Sequence, residues 1–259
     1  MIRLSAHLGT LFGELPALER PAAARAAGFD AVEAWWPPAD DPGEWIAAVR
    51  AAGVRAVLVN ADGGDLAAGE RGFCNIPGRG DEAVRAAIAA ATLVRACGGE
   101  VVNLLVGRID EGRPVREQLD IAIGVVREAA DEVGRLGARI VVEHLNDRDV
   151  AGPLLPTPAA AAAFVTEVRH DRVRVLLDAY HSARAGIDPI EAVAASGPLI
   201  GHAQFADHPG RGAPGTGELD LDAFIARLAE LGYAGHVGLE FLPAGPTAPA
   251  LEGLAARWR

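Results

Sequence analysis

The sequence predicts a single (β/α)8 barrel. Eight short apolar, β-branched runs alternate with eight helical patterns. The 259 residues match the ~250 typical of such a barrel. No linker or low-complexity stretch divides the chain, so residues 1–259 read as one domain. An open doubly wound sheet is the alternative, but no G-x-G-x-x-G follows the first strand.

The first strand is Ile2–His7, and a helix over Pro16–Ala27 stops at Gly28. The second strand, Ala31–Trp36, ends at Pro37-Pro38; a helix over Pro42–Ala52 stops at Gly53. Val54–Ala61 is the third strand, followed by a glycine-rich loop, Asp62–Gly80. Asp81 opens a helix to Cys97, and Glu100–Gly107 is the fourth strand. A long amphipathic helix, Pro114–Leu136, precedes the fifth strand, Ala138–Leu145. After the loop Asn146–Leu155, Thr157 caps a helix to Val168 with Pro158 at its first position. Val173–Tyr180 is the sixth strand, Asp188–Ala195 a short helix and Leu199–Ala206 the seventh strand. A second Gly/Pro-rich loop, His208–Gly217, leads to a helix over Leu219–Leu231 and the eighth strand, Gly235–Phe241. The tail, Ala248–Trp258, reads as a closing helix.

Composition narrows the function. The formal charge is 24 − 35 = −11 with no basic run, which argues against nucleic acid or an anionic membrane as partner. All 24 basic residues are arginine, so lysine Schiff-base chemistry and a P-loop lysine are excluded. Cys74 and Cys97 make no disulfide framework, and the N-terminus reads as a strand instead of a signal peptide, so a cytoplasmic setting is expected. No apolar run approaches the ~20 residues of a membrane span.

Four strands end on an oxygen-bearing side chain: Glu143, Asp178, Gln204 and Glu240 on the fifth to eighth. Buried carboxylates are costly unless paired or bound to metal. In a barrel these ends share one face, so the four can surround one cation. Hard oxygen ligands suit Mg²⁺ or Mn²⁺. His181, three residues past Asp178, is a candidate substrate donor, and His7 at the end of the first strand a candidate pocket wall. His202 lies deeper than Gln204 on the same face, either supporting a ligand or satisfied in the core. His144 and His236 point elsewhere, and His170 sits in a turn. The two long loops carry Glu70, Arg71 and Arg211 as candidates for holding the substrate; the arginines can grip a substrate carboxylate, and at least one loop is expected to act as a lid. Cys74 has no histidine fixed beside it and is a poor candidate nucleophile.

The segments A-H-L-G-T-L-F-G-E (6–14), A-A-G-E-R-G (67–72), I-P-G-R (76–79), D-x-Y-H (178–181), G-H-x-Q-x-A-D (201–207) and P-G-T-G-E (214–218) resemble the hydroxypyruvate isomerase branch of the xylose-isomerase-like barrels. The resemblance covers the chain in order. It implies one divalent cation on Glu143, Asp178, Gln204 and Glu240, with Glu143 and Glu240 as the acid/base pair. It also implies interconversion of hydroxypyruvate and 2-hydroxy-3-oxopropanoate (tartronate semialdehyde) by proton transfer through an enediolate. The chain departs from the branch at His7, usually asparagine, and at His144, usually proline.

Other readings stay open: a 2-oxo-tetronate isomerase or ketose 3-epimerase on the same site, an abasic-site endonuclease, or a non-catalytic binding barrel. The expected ligand is a small 2-oxo acid or sugar-like molecule. A homo-oligomer is compatible with the sequence.

Overall fold

The computed structural model describes residues 2–252 and 254. Eight strands form a closed barrel in the order β1 to β8. They are β1 Arg3–His7, β2 Ala31–Ala34, β3 Arg55–Asn60, β4 Val101–Asn103, β5 Arg139–Glu143, β6 Val173–Asp178, β7 Ile200–Phe205 and β8 His236–Leu239. Neighbours pair in parallel, and β1 closes the ring on β8.

Around them lie α1 Arg20–Ala26, α2 Pro42–Ala52, α3 Gly80–Ala96, α4 Val115–Arg135, α5 Pro158–Val168, α6 Ala179–Arg184, α7 Pro189–Ser196, α8 Leu221–Glu230 and α9 Thr247–Ala250. Asp41, Thr157, Asp188 and Asp220 cap α2, α5, α7 and α8 by accepting backbone N–H bonds. Helix α8 buries Leu221, Phe224, Ile225 and Leu228, one face at the spacing of 3.6 residues per turn. Each such side chain contributes roughly 1.5–3 kcal/mol by leaving water.

Several elements differ from expectation. The first helix begins at Arg20 instead of Pro16, because Pro21 stands in its first turn and residues 16–19 form turns. The fourth strand stops at Asn103; beyond it Val106 bridges to Gly72 in the loop after β3, drawing that loop over the barrel end. The sixth strand stops at Asp178, where an unforeseen helix, α6, begins. Asp178 caps it by accepting the His181 N–H, so His181 stands in a helical first turn instead of a loop. The tail, expected as a helix over Ala248–Trp258, holds among its described residues only the short helix Thr247–Ala250 followed by a turn at residues 251–252; residues 253 and 255–259 lie outside the described residues. Among the described residues no helix is long and apolar enough to cross a membrane.

Alternation along the strands layers the barrel interior. Leu58, Val101, Val141 and Leu176 form a separate buried cluster. Two residues further along each strand stand Asn60, Asn103, Glu143 and Asp178. On the other side Ser5, His202 and Gly238 lie two residues before His7, Gln204 and Glu240. The C-terminal rim is therefore polar nearly all round, over a floor that is apolar on one side only.

Candidate active site

A cavity of about 320 Å³ opens at the C-terminal ends of the strands. Glu143, His181, Arg211, Glu240 and Arg71 line it together with Trp35 and Asn60. A larger cavity of about 760 Å³ opens at the opposite, N-terminal end, bordered by Arg55, Arg139, Arg174 and His236. His236 is thereby far from the carboxylates, as its place at the start of β8 requires. Barrel chemistry belongs to the C-terminal end, which holds the clustered acids.

Glu143, Asp178, Gln204 and Glu240 are all buried. Ligand atoms of Glu143, Asp178 and His181 lie within 4.8 Å of one another. Asp178 stands beside Gln204 in the β6–β7 register. Asp178 Oδ2 and Gln204 Oε1 are buried without a hydrogen-bond partner. Unpaired buried oxygens are costly, and two beside a carboxylate pair fit a bound cation.

His181 fits the role of donor better than ligand. Its Nδ1 accepts the backbone N–H of Asn146 at 3.1 Å and the Asn146 side-chain amide at 2.7 Å. The neutral ring therefore carries its proton on Nε2, which faces Glu143 Oε1 at 3.8 Å. Burial holds His181 below the ordinary histidine range and keeps the ring neutral.

The two glutamates have opposite environments. Burial, then the negative charges of Glu240 and Asp178, raise Glu143 well above the usual carboxylate value, despite a 2.7 Å hydrogen bond from Asn103. Burial pushes Glu240 the same way, but the Arg211 guanidinium beside it more than offsets this and leaves Glu240 lowered. Arg211 Nη2 lies 3.0 Å from Glu240 Oε2, and Trp35 Nε1 donates to Oε1 at 3.0 Å. His7 Nε2 lies 3.7 Å from Glu240 Oε1.

Both long loops border the cavity. Arg211 has a left-handed backbone, φ 54°, an uncommon conformation for a bulky residue. The loop around it hangs from Asp207, whose carboxylate accepts the N–H groups of His208, Gly215, Gly217 and Leu219 at 2.8–2.9 Å. In the other loop Arg71 reaches the cavity, while Glu70 turns away to Arg79 Nη1 at 2.6 Å and the Asp65 N–H at 2.7 Å.

The remaining predicted residues divide. His202 bonds a residue absent from the sequence-based reading, Glu33, at 2.8 Å. His144 is buried behind the site on Ser182 at 3.1 Å. Cys74 is buried, and burial pushes its thiol up to about 12, so it carries no nucleophile. Glu33, Trp35, Asn103 and Asn146 were not singled out, although Glu33 and Asn103 interrupt apolar strands.

The profile of a family described as xylose isomerase-like TIM barrel matches residues 21–257. A Streptomyces coelicolor protein provisionally named hydroxypyruvate isomerase is 41% identical, over 98% of this chain and 96% of its own length. The hydroxypyruvate isomerase of Escherichia coli K12 is 32% identical, over 97% of this chain and 98% of its own. A solved structure from Brucella melitensis, described as an AP endonuclease of family 2, superposes with a TM-score of 0.91 at 32% identity, covering 97% of each chain.

Proposed function

The chain belongs to the xylose isomerase-like TIM barrel family, and we propose that it interconverts hydroxypyruvate and tartronate semialdehyde. One observation carries the reading. Two buried glutamates of opposite proton preference, Glu143 and Glu240, face one small cavity that also holds a neutral histidine donor and an arginine. Moving a carbonyl to the adjacent carbon needs one proton removed and one returned, which such a pair supplies.

Glu143, Asp178, Gln204 and Glu240 would hold the divalent cation, Mg²⁺ or Mn²⁺; the unpartnered oxygens of Asp178 and Gln204 support this set. When bound, the cation supplies positive charge against the oxyanion charge that develops on the substrate. Arg211 grips the substrate carboxylate through its planar fork, and Arg71 adds charge from the opposite loop. His181 Nε2–H donates to a substrate oxygen, and His7 shapes the wall at Glu240. Glu70 supports the loop through Arg79. One glutamate takes the proton from C3 as its electrons shift toward the C2 carbonyl. The other returns a proton to C2, and the C3 hydroxyl gives up its proton to the C2 oxygen as it becomes the aldehyde. The loops bearing Arg71 and Arg211 serve as lids that exclude water.

The cavity is near the lower end of ordinary ligand pockets, which favours a three-carbon acid over a ketose. The net charge of −11 weighs against DNA as substrate, whatever the Brucella protein acts on. Two buried free cysteines suit a reducing cytoplasm.

The test is steady-state turnover of hydroxypyruvate before and after EDTA, with Mg²⁺ and Mn²⁺ restored, beside four-carbon 2-oxo acids and ketoses. Activity should return with metal and peak on hydroxypyruvate. Glu143→Gln and Glu240→Gln should each lower kcat by roughly 10²–10⁴-fold. Wild-type turnover in both variants would refute the reading.

A further inference from the structure

Glu33 belongs to β2, a strand that carries none of the four proposed ligands, and is fully buried. No arginine reaches it among the described residues. Its carboxylate instead collects three donors from other strands. Ser5 Oγ donates to Oε1 at 2.6 Å, and His202 Nε2 meets the same oxygen at 2.8 Å. Gln204 Nε2 donates to Oε2 at 2.9 Å. The space it fills exists because β8 has Gly238 there: a Cβ at that position would overlap both carboxylate oxygens.

An ionised carboxylate only accepts hydrogen bonds. Gln204 must therefore present its NH₂ to Glu33, which settles the orientation of an amide otherwise able to flip. Its carbonyl oxygen, Oε1, is then the atom left unpartnered beside Asp178. An amide nitrogen turned that way would meet a cation with hydrogens.

We propose that Glu33 is a positioning residue for the metal site, a buried acceptor that fixes the Gln204 amide with its oxygen toward the cation. The inference rests on the metal set of the proposed function and adds a residue that touches neither cation nor substrate. Removing such supporting partners typically weakens metal affinity 10–100-fold.

The experiment is titration of Mn²⁺ alone into EDTA-treated, dialysed full-length protein by calorimetry, with circular dichroism to establish folding. In Glu33→Gln the new amide can donate, so Gln204 is free to turn. Mn²⁺ affinity should fall at least about tenfold in a folded protein. In the double variant Glu33→Gln/Gln204→Glu the donor and acceptor exchange places: the amide introduced at position 33 donates to one oxygen of the carboxylate introduced at position 204 and leaves the other for the cation. Its affinity should return to within about tenfold of wild type. Glu33→Gln at wild-type affinity, or a folded double variant as weak as Glu33→Gln, overturns the proposal while leaving the metal site intact. A wild-type protein that binds no Mn²⁺ overturns the metal reading and this inference with it. Should the variants not fold, the Gln204 amide resonances of the wild type decide. Slow hydrogen exchange at Nε2 that survives Mg²⁺ binding supports the lock, and rapid exchange overturns it.

Discussion

Substitution of Asp207 by asparagine tests how the Arg211 loop is held. The Asp207 carboxylate accepts four backbone N–H groups, two on each oxygen, and is fully buried. Asparagine keeps one acceptor and turns the other into a donor, so two N–H groups lose their partner and face a second N–H. Hydrogen bonds to a charged group are worth roughly 1.5–3 kcal/mol each, so two amount to roughly 3–6 kcal/mol. A surface loop escapes such a penalty by opening locally. The expected outcome is a small change in Tm, a kcat/KM lower by about 10²-fold because Arg211 is displaced, and a new tryptic cut after Arg211. Steady-state kinetics, thermal melts and limited trypsinolysis followed by mass spectrometry read the three effects. Wild-type kcat/KM with unchanged trypsin resistance would show that the carboxylate does not hold the loop.

Three further outcomes are expected. Arg211→Gln should raise the KM for hydroxypyruvate at least about tenfold, more than it lowers kcat; an unchanged KM removes Arg211 from the substrate. Binding of Mn²⁺ at mildly acidic pH should release protons, because burial and two neighbouring carboxylates raise Glu143 above the usual carboxylate range and the cation displaces its proton. Calorimetry in buffers of different ionisation enthalpy measures it, and zero release contradicts the raised Glu143. Acid should destabilise the fold in two overlapping windows. Burial of Glu33 is outweighed by His202, His7 and Ser5, which lower it from 4.5 to about 2; its contribution of roughly 3 kcal/mol is present above pH 4.5 and lost toward pH 2. Burial lowers His144 from 6.5 to about 3, so the unfolded chain takes up a proton that the fold refuses, and stability falls as pH drops through that range. Urea unfolding at pH 7, 5 and 4 checks this, and a flat profile contradicts it.

The order of strands and helices is legible because strand and helix periods differ and because glycine and proline punctuate them. The four strand-end residues share one face for the same reason: a carboxylate closing a β-branched run in a barrel has one place to be. What was not legible depends on contacts across the ring. Glu33 looks like one polar residue in A-V-E-A-W-W, and its partners Ser5, His202 and Gln204 lie 28, 169 and 171 residues away. The short helix after β6 was hidden because D-A-Y-H continues an apolar run; only the capping geometry of Asp178 shows the strand ending there. Glu70 illustrates the reverse. Its loop reaches the mouth, but a strong local partner, Arg79, holds its side chain elsewhere.

The uneven floor of the barrel bears on how the chain can be built. Leu58, Val101, Val141 and Leu176, from four consecutive middle strands, make the dry side. The wet side joins Ser5 and Glu33, made early in synthesis, to His202 and Gln204, made late. An N-terminal half ending after β4 or β5 would therefore carry a lone carboxylate in its would-be interior, with two of its three donors still missing. Such a half is not a self-sufficient unit, and severed halves should become stable only by associating with each other. The barrel matures when its last strands arrive, and the same event sets Gln204 in place.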